Sequence, residues 1–324
     1  MSTDRGRREF IQAAGVAGAT FLATAQPLAQ TQLSTPAAPT PARTMGARFR
    51  ELLQKRATFE NVAAYDQFTA RMVELMGFPS IFLGGSLVGE FHAVPDWLTS
   101  LTERVEYARQ IAENVDIPTM ADIDDGGDPM FIYRVTKQYE QARVGAIHIL
   151  DDAVGPMGRQ TGVIPIARMV DKIHAAVDAR SDMVVTARCT AATMAGGESK
   201  EQAIARRVAY AEAGAETIWF MGMTLADLPR VADAIRIPVT AQMFMDTTMA
   251  QARAARVTVA VYASLLQNIA QSAVYDALTE LKTTGVMTKS AGGIRLGNRI
   301  PAEFRARIMR TTEINERGKK YNVG

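Results

Sequence analysis

Between residues 59 and 262, short apolar runs alternate with longer segments whose apolar side chains recur every three or four positions. The short runs lie at 59–64, 80–83, 119–123, 146–150, 183–187, 217–221, 239–243 and 257–262. They are too brief for helices and mostly apolar throughout, as buried parallel strands are. The longer segments lie near 66–76, 100–115, 130–143, 166–179, 199–213, 225–235, 247–255 and 263–284. The pattern at 100–115 is typical of them. Ser100 and Glu103 form a capping-box start. Leu101, Val105, Ala108, Ile111 and Ala112 share a face, and Glu103, Arg104, Arg109 and Glu113 are expected mostly off it. A further helix is predicted over 46–54, with Phe49, Leu52 and Leu53 on one side. Eight strand–helix units over about 240 residues predict an α/β fold, a (β/α)8 TIM barrel spanning 45–285. An open doubly wound sheet is the competing arrangement. However, no G-x-G-x-x-G opens the first helix, and no loop resembles a Walker A sequence. Beyond Gly285, Ser290-Ala291-Gly292-Gly293 and a polar helix over 301–316 form a C-terminal helical tail, 286–324, available to pack on a neighbouring subunit.

Residues 1–44 stand outside this alternation. Arg7-Arg8-Glu9-Phe10-Ile11-Gln12 precedes a mildly apolar, Ala/Gly-rich run over 13–23, and small residues follow at Ala23-Thr24-Ala25 and Leu28-Ala29. A basic pair, a short apolar run and an A-x-A-like site are the layout of a twin-arginine export signal. Residues 1–29 are therefore expected to send the chain to the periplasm or beyond; an amphipathic helix is the alternative. The apolar run is too short to span a bilayer, so no membrane insertion of the mature chain is expected. Residues 30–44, rich in Pro, Thr and Ala, read as an extended linker.

Composition sets bounds. The 324 residues are 48% hydrophobic and 22% charged, an ordinary globular balance. A formal charge of +2 implies no basic face for nucleic acid. The single cysteine, Cys189, permits no internal disulfide, which suits a passenger exported already folded.

Barrels of this kind gather function at the C-terminal ends of their strands. The strongest candidate there is Ala121-Asp122-Ile123-Asp124-Asp125-Gly126-Gly127-Asp128. On a continuing strand, Asp122 and Asp124 point to the same side. Two such carboxylates repel each other unless a cation or a shared proton lies between them. A hard divalent ion, Mg2+, resolves this; a merely solvated acidic loop fits the spacing as well. The other strand ends carry Tyr65-Asp66, Gly84-Gly85-Ser86, Asp151-Asp152, Arg188, Met221-Gly222 and Gln242.

In order and spacing, these strand ends resemble the isocitrate lyase / phosphoenolpyruvate mutase superfamily. The carriers are Ala64-Tyr65-Asp66 with Thr69-Ala70-Arg71, Gly77-Phe78 before Gly84-Gly85-Ser86, Val94-Pro95-Asp96, and Ala121-Asp122-Ile123-Asp124. Gly145-Ala146-Ile147-His148-Ile149 and Thr186-Ala187-Arg188 complete them. The resemblance implies a (β/α)8 barrel, a homo-oligomer (usually a tetramer exchanging a C-terminal helix), Mg2+, and a small 2-oxo- or 2-hydroxycarboxylate substrate. A C–C or P–C bond of that substrate is cleaved or formed through an enolate. It further implies Asp122, Asp124 and Asp96 as metal-site acids, with Asp96 on a mobile loop. Arg188 is implied as the substrate-binding arginine, and His148 and Tyr65 as active-site side chains. Gly84, Gly85 and Ser86 would offer backbone amides to a carboxylate, and Gln242 stands where an asparagine is usual. Each has a plainer role open to it. His148 can be a satisfied core residue, Arg188 a structural partner of Asp151 or Asp124, Asp96 a helix cap, and Tyr65 a wall residue.

The chain also departs from the pattern. Leu150 stands where a glutamate is usual, Met221 replaces another glutamate, and Cys189-Thr190 replaces Thr-Asp. Residues 154–162 lack the Lys-Arg-Cys-Gly-His loop of the lyases. Either a Mg2+–enolate core survives and runs a simpler C–C cleavage, or the barrel is an exported carboxylate-binding protein or pseudoenzyme. The first reading covers an oxaloacetate decarboxylase-like or methylisocitrate lyase-like reaction, and a P–C mutase or hydrolase is a third reading. Asp151 or Asp152 is expected to stand in for the missing glutamate. Cys189 is expected to pack, not to react.

Overall fold

The computed structural model describes residues 43–288 and 300–321. The expected export signal, most of the 30–44 linker and residues 290–293 lie outside the described residues.

Thr44 caps the first helix, α1 (Met45–Gln54), by accepting from the Ala47 amide. Eight strands then close into a parallel barrel. The first four are β1 (Phe59–Ala63), β2 (Ser80–Leu83), β3 (Thr119–Asp122) and β4 (Ala146–Leu150). A separate antiparallel hairpin follows, β5 (Asp152–Val154) and β6 (Gln160–Val163). The barrel resumes with β7 (Val184–Cys189), β8 (Thr217–Phe220), β9 (Val239–Gln242) and β10 (Val259–Tyr262), which pairs back onto β1. The helices around it are α2 (Gln67–Leu75), α3 (Gly85–His92), α4 (Leu101–Ala112), α5 (Pro129–Gln141), α6 (Ile166–Ala179), α7 (Lys200–Glu212), α8 (Leu228–Ile235), α9 (Met249–Ala254) and α10 (Leu265–Thr284). The predicted barrel is therefore correct, and the open sheet is excluded.

Two elements were not legible as such. Helix α3 follows directly on the Gly84-Gly85 turn, and the segment expected as a loop over 154–162 forms most of the hairpin. The tail also differs. The helix expected over 301–316 is broken at Arg310, whose φ of 52° ends α11 (Ala302–Ile308) and starts α12 (Thr311–Lys320). Helix α11 packs on its own chain, with Ile308 buried and the Arg305 guanidinium over the Phe68 ring. Among the described residues, no helix is long and apolar enough to cross a membrane.

Strand register decides which side chains face the barrel axis. The Phe82, His148 and Trp219 rings meet across the barrel, with centroids 4.8–5.5 Å apart. They come from β2, β4 and β8, which are not adjacent, so these positions point inward. Alternation then puts Asp122, Leu150, Arg188 and Gln242 on the inward face at the C-terminal rim. Buried polar side chains such as Thr217 and Thr240 are paired, their hydroxyls 2.7 Å apart. That satisfies groups that would otherwise cost stability.

Candidate active site

Strand β3 stops at Asp122 because the next residues leave extended conformation. Asp124 has a φ of 52°, followed by Gly126 and Gly127 at 60° and 76°. Asp122 and Asp124 thus do not share a strand face as expected. The turn brings them together instead, with the Asp124 amide donating to Asp122 Oδ1 at 2.8 Å. The two other acids of the stretch have structural partners. Asp128 caps α5 by accepting from the Met130 and Phe131 amides. The backbone carbonyl of Asp125 accepts from the buried Lys172 at 2.7 Å, and its carboxylate lies 3.6 Å from that ammonium.

Asp122 sits on the barrel axis side with its carboxylate nearly buried. His148 Nε2 lies 3.4 Å from Oδ1, and Arg188 Nη1 lies 3.9 Å from Oδ2. The Arg188 guanidinium stacks over the Trp219 ring, 5.3 Å from its centroid. His148, level with Asp122 in the register, is fully buried, yet neither of its ring nitrogens has a hydrogen-bond partner among the described residues, so it is a core residue but not the satisfied one that was the alternative. Arg188 pairs with neither Asp151 nor Asp124, but with Asp122.

Asp96 opens a short 3-10 turn ahead of α4. It caps nothing; Ser100 caps α4, reciprocally with Glu103. Its carboxylate instead meets Arg104, with Nη2 2.6 Å from Asp96 Oδ1 and also 2.6 Å from Asp124 Oδ2. Arg104 is the residue that sequence reasoning missed. It was expected off the apolar face of α4, yet it is buried. The signal was present in the spacing: Arg104 is four before Ala108 and seven before Ile111, on the apolar stripe itself. Gly85 is small for this cluster, because a Cβ there would lie 2.9 Å from Asp96 Oδ2 and 3.0 Å from Arg104 Nη1.

Electrostatics follow from this crowding. Burial pushes Asp124 up to about 8, reinforced by Asp122, against the opposing pull of Arg104. Burial acts on Asp122 too, but His148 and Arg188 outweigh it and hold it below the usual carboxylate range. Burial also raises Asp96, with Arg104 opposing. Three carboxylates thus share two guanidinium groups, an excess of acid that favours a proton on Asp124.

That excess suits a cation. The donors are all oxygens, the set Mg2+ prefers, and Mg2+ needs only one or two carboxylates when waters and substrate complete its shell. Arg104 Nη1 and Arg188 Nε are buried without a hydrogen-bond partner among the described residues, as polar walls awaiting a ligand are. No three His, Cys, Asp or Glu side chains form a ready cation cage among the described residues, because Asp96 reaches the others only through Arg104. The residues fit Mg2+ bound mainly through Asp122 and Asp124.

The remaining candidates frame the mouth. Tyr65 is half-buried after β1 and packs against the core, and Gln242 ends β9 on the inward face. Gly84 and Gly85 begin α3, whose first turn has no side-chain cap, and Ser86 is exposed. Asp151 does not replace the missing glutamate: it is fully buried and accepts from the Thr190 amide and hydroxyl and from the Tyr210 hydroxyl at 2.8–3.0 Å. Asp152 is the acid that reaches the open space beside Leu150. Cys189 is buried, and its thiol is pushed up to about 12 by that burial, as expected of a packing residue.

A cavity of about 570 Å³ adjoins the acid cluster through Asp96, Arg104 and Asp124. Arg188, Tyr65, Gly84 and Gln242 do not line it. The hairpin roofs it, with Gly158 so close to Trp97 that a Cβ would lie 2.5 Å from the indole-bearing carbon.

Comparison with known proteins agrees with this architecture. The family description "Phosphoenolpyruvate phosphomutase" matches residues 49–282. A Corynebacterium glutamicum protein described as "Probable 2-methylisocitrate lyase 2" is 35% identical over 239 residues, 69% of this chain and 76% of that protein. An oxaloacetate decarboxylase of Pseudomonas aeruginosa is 31% identical over 279 residues, 83% of this chain and 96% of that protein. A solved structure of phosphonopyruvate hydrolase with oxalate and Mg++ superimposes with a TM-score of 0.75 at 26% identity, covering 86% of this chain and 99% of that one.

Proposed function

The chain belongs to the phosphoenolpyruvate phosphomutase family, and from that premise we propose that it is a lyase. It cleaves a carbon–carbon bond of a small 2-oxo- or 2-hydroxycarboxylate through an enolate. The observation that carries this is the placement of Asp122 at the rim of β3, between His148 and Arg188 and hydrogen-bonded to the Asp124 turn. Asp122 and Asp124 would hold Mg2+ there, which would supply positive charge against the negative charge that develops on the substrate oxygen. The protein's own residues do the rest. Arg188 offers a guanidinium to a carboxylate, pre-oriented by the Trp219 ring. His148 borders the Asp122 carboxylate from the core side, with Nε2 3.4 Å from Oδ1. Arg104 holds Asp96 and Asp124 together at the edge of the site.

Loss of CO2 from an oxaloacetate-type acid is the reaction this site supports best. Residues 152–163 carry no Cys or His to protonate a larger leaving group. Decarboxylation needs only an electron sink and a later proton from water. Cleavage of a 2-methylisocitrate-type acid is the second reading, favoured by the 35% identical relative. The test is a panel of oxaloacetate, 2-methylisocitrate, isocitrate and phosphonopyruvate with Mg2+, monitoring pyruvate, glyoxylate and succinate. Pyruvate from oxaloacetate that disappears in Asp122→Ala supports the enzyme. Tight binding of these acids without any turnover would instead make it a carboxylate-binding protein, and turnover of phosphonopyruvate alone a P–C bond enzyme.

Two further features belong to this reading. The 20-residue helix α10 leaves Ile269, Val274, Tyr275, Leu278 and Leu281 exposed, which supports a homo-oligomer, a tetramer by the resemblance; a monomeric mass by light scattering would refute it. Residues 1–29 are proposed to act as a twin-arginine export signal, delivering the folded barrel to the periplasm.

A further inference from the structure

The cavity beside the acid cluster is larger and more apolar than a four-carbon acid needs. Oxaloacetate has about nine heavy atoms, whereas 570 Å³ has room for roughly 15–20 water-sized groups. Arg188, proposed to grip the carboxylate, and the Gly84-Gly85 turn lie outside it, so the cavity is space in addition to theirs. Its walls include Trp97, Leu101, Phe131, Val135, Leu150 and Val154. Val135 and Leu150 are buried in the wall, but Trp97, Phe131 and Val154 are 44%, 56% and 49% exposed. Large apolar side chains wetted around one half-open cleft beside a polar cluster are the usual lining of a ligand site. Leu150 adds to this. It ends β4 on the inward face, level with Arg188 in the register, and presents a hydrocarbon beside Asp124 where an acid is usual.

We propose that this cavity takes an apolar substituent of the substrate, an alkyl or aryl group on the carbon next to the oxo group. The preferred substrates are then 3-substituted 2-oxo dicarboxylates and not oxaloacetate itself. This inference rests on the C–C lyase reading and names its substrate class. The polar end lies at Asp122 and Arg188, and the substituent passes Asp124 and Leu150 into the space under the hairpin. In the reaction, the C3–C4 bond breaks and CO2 leaves. The electron pair forms the C2–C3 enolate with charge on the C2 oxygen, and a solvent proton then adds at C3. The substituent stays on C3 throughout, so the cavity holds it in substrate, enolate and product alike.

The experiment compares oxaloacetate with 3-benzyloxaloacetate as substrates in Mg2+, corrected for spontaneous CO2 loss. It also compares malate with 3-benzylmalate as unreactive ligands by calorimetry. The benzyl compounds are expected to be favoured by at least ~10-fold in both kcat/KM and affinity, about 1.4 kcal/mol. Val154→Trp, which fills the space from the exposed hairpin, and Phe131→Ser, which makes its wall polar, should each bring the ratio towards one. Where the two measurements differ, the calorimetric ratio decides. A wild-type affinity ratio near or below one, or a ratio unchanged in both variants, overturns the assignment. Turnover of neither acid, with the affinity preference present and lost in Val154→Trp, would remove the lyase reading and leave the cavity assignment standing.

Discussion

Arg104→Met isolates the buried guanidinium on which the acid cluster depends. Arg104 is only 8% exposed, while Asp96 and Asp124 are 38% and 36% exposed. A hydrogen bond to a charged group contributes about 1.5–3 kcal/mol, and breaking a fully buried pair costs about 3–5 kcal/mol. Solvent at both carboxylates screens part of this, so about 2–4 kcal/mol is expected for the metal-free protein. Methionine keeps the aliphatic volume, which limits any cavity contribution. The lost positive charge should also tighten Mg2+ binding, by about tenfold or about 1.4 kcal/mol. Because a ligand stabilises the state it binds, the gap between variant and wild type should narrow by that amount at saturating Mg2+. Urea titrations with and without Mg2+ measure both quantities. A metal-free loss below ~1 kcal/mol, or a gap that Mg2+ does not change, would refute the bridging role and the metal site together.

Three other outcomes are expected. Glu140 accepts from the Ser181, Asp182 and Met183 amides, and although burial opposes this, those bonds hold its carboxyl below the ordinary glutamate value. A depressed folded pKa gives stability that is complete above the unfolded value of ~4.3 and is lost as pH falls through the folded one. Glu140→Gln should therefore flatten the acid limb of a stability–pH curve below about pH 5, and an unchanged limb would count against it. The Cys189 thiol, pushed up to about 12, should resist a thiol reagent at pH 8 until the protein unfolds; rapid labelling of the native protein would show that it is not sealed in. Arg7→Lys with Arg8→Lys should leave the chain in the cytoplasm on cell fractionation, and normal export of that variant would remove the twin-arginine assignment.

The barrel was legible because its evidence is periodic. Eight apolar runs and eight amphipathic segments leave few topologies open, and each predicted strand overlaps an observed one. The site was legible in the inward-facing residues at or near strand ends: Asp122, His148 and Arg188 converge, with His148 the deepest of the three. What sequence hid was set by turns and by burial. A left-handed residue at 124 brings its amide back onto Asp122 and its carboxylate onto Arg104, a closeness of the two acids that strand alternation had suggested for the wrong reason. Arg104 lay on an apolar stripe but was read by its charge, and only the two acids that meet it explain its burial. Asp151 and Asp152 are adjacent and chemically identical. Nothing local reveals that the Thr190 amide and Tyr210 bury the first, while the second, shared with the Thr190 hydroxyl and Gln160, reaches the cavity.

The hairpin pairs only with itself. Asp152 stands opposite Val163, so its two ends leave the barrel side by side. Apart from Asp152 and Gln160, whose side chains meet the Thr190 hydroxyl just past β7, its sequence can therefore change without disturbing any strand that carries Asp122, His148 or Arg188. If the cavity takes the substituent, selectivity and chemistry lie on separate segments of this chain. A graft of residues 152–163 from a relative is a compact way to re-address the same reaction centre to a different acid.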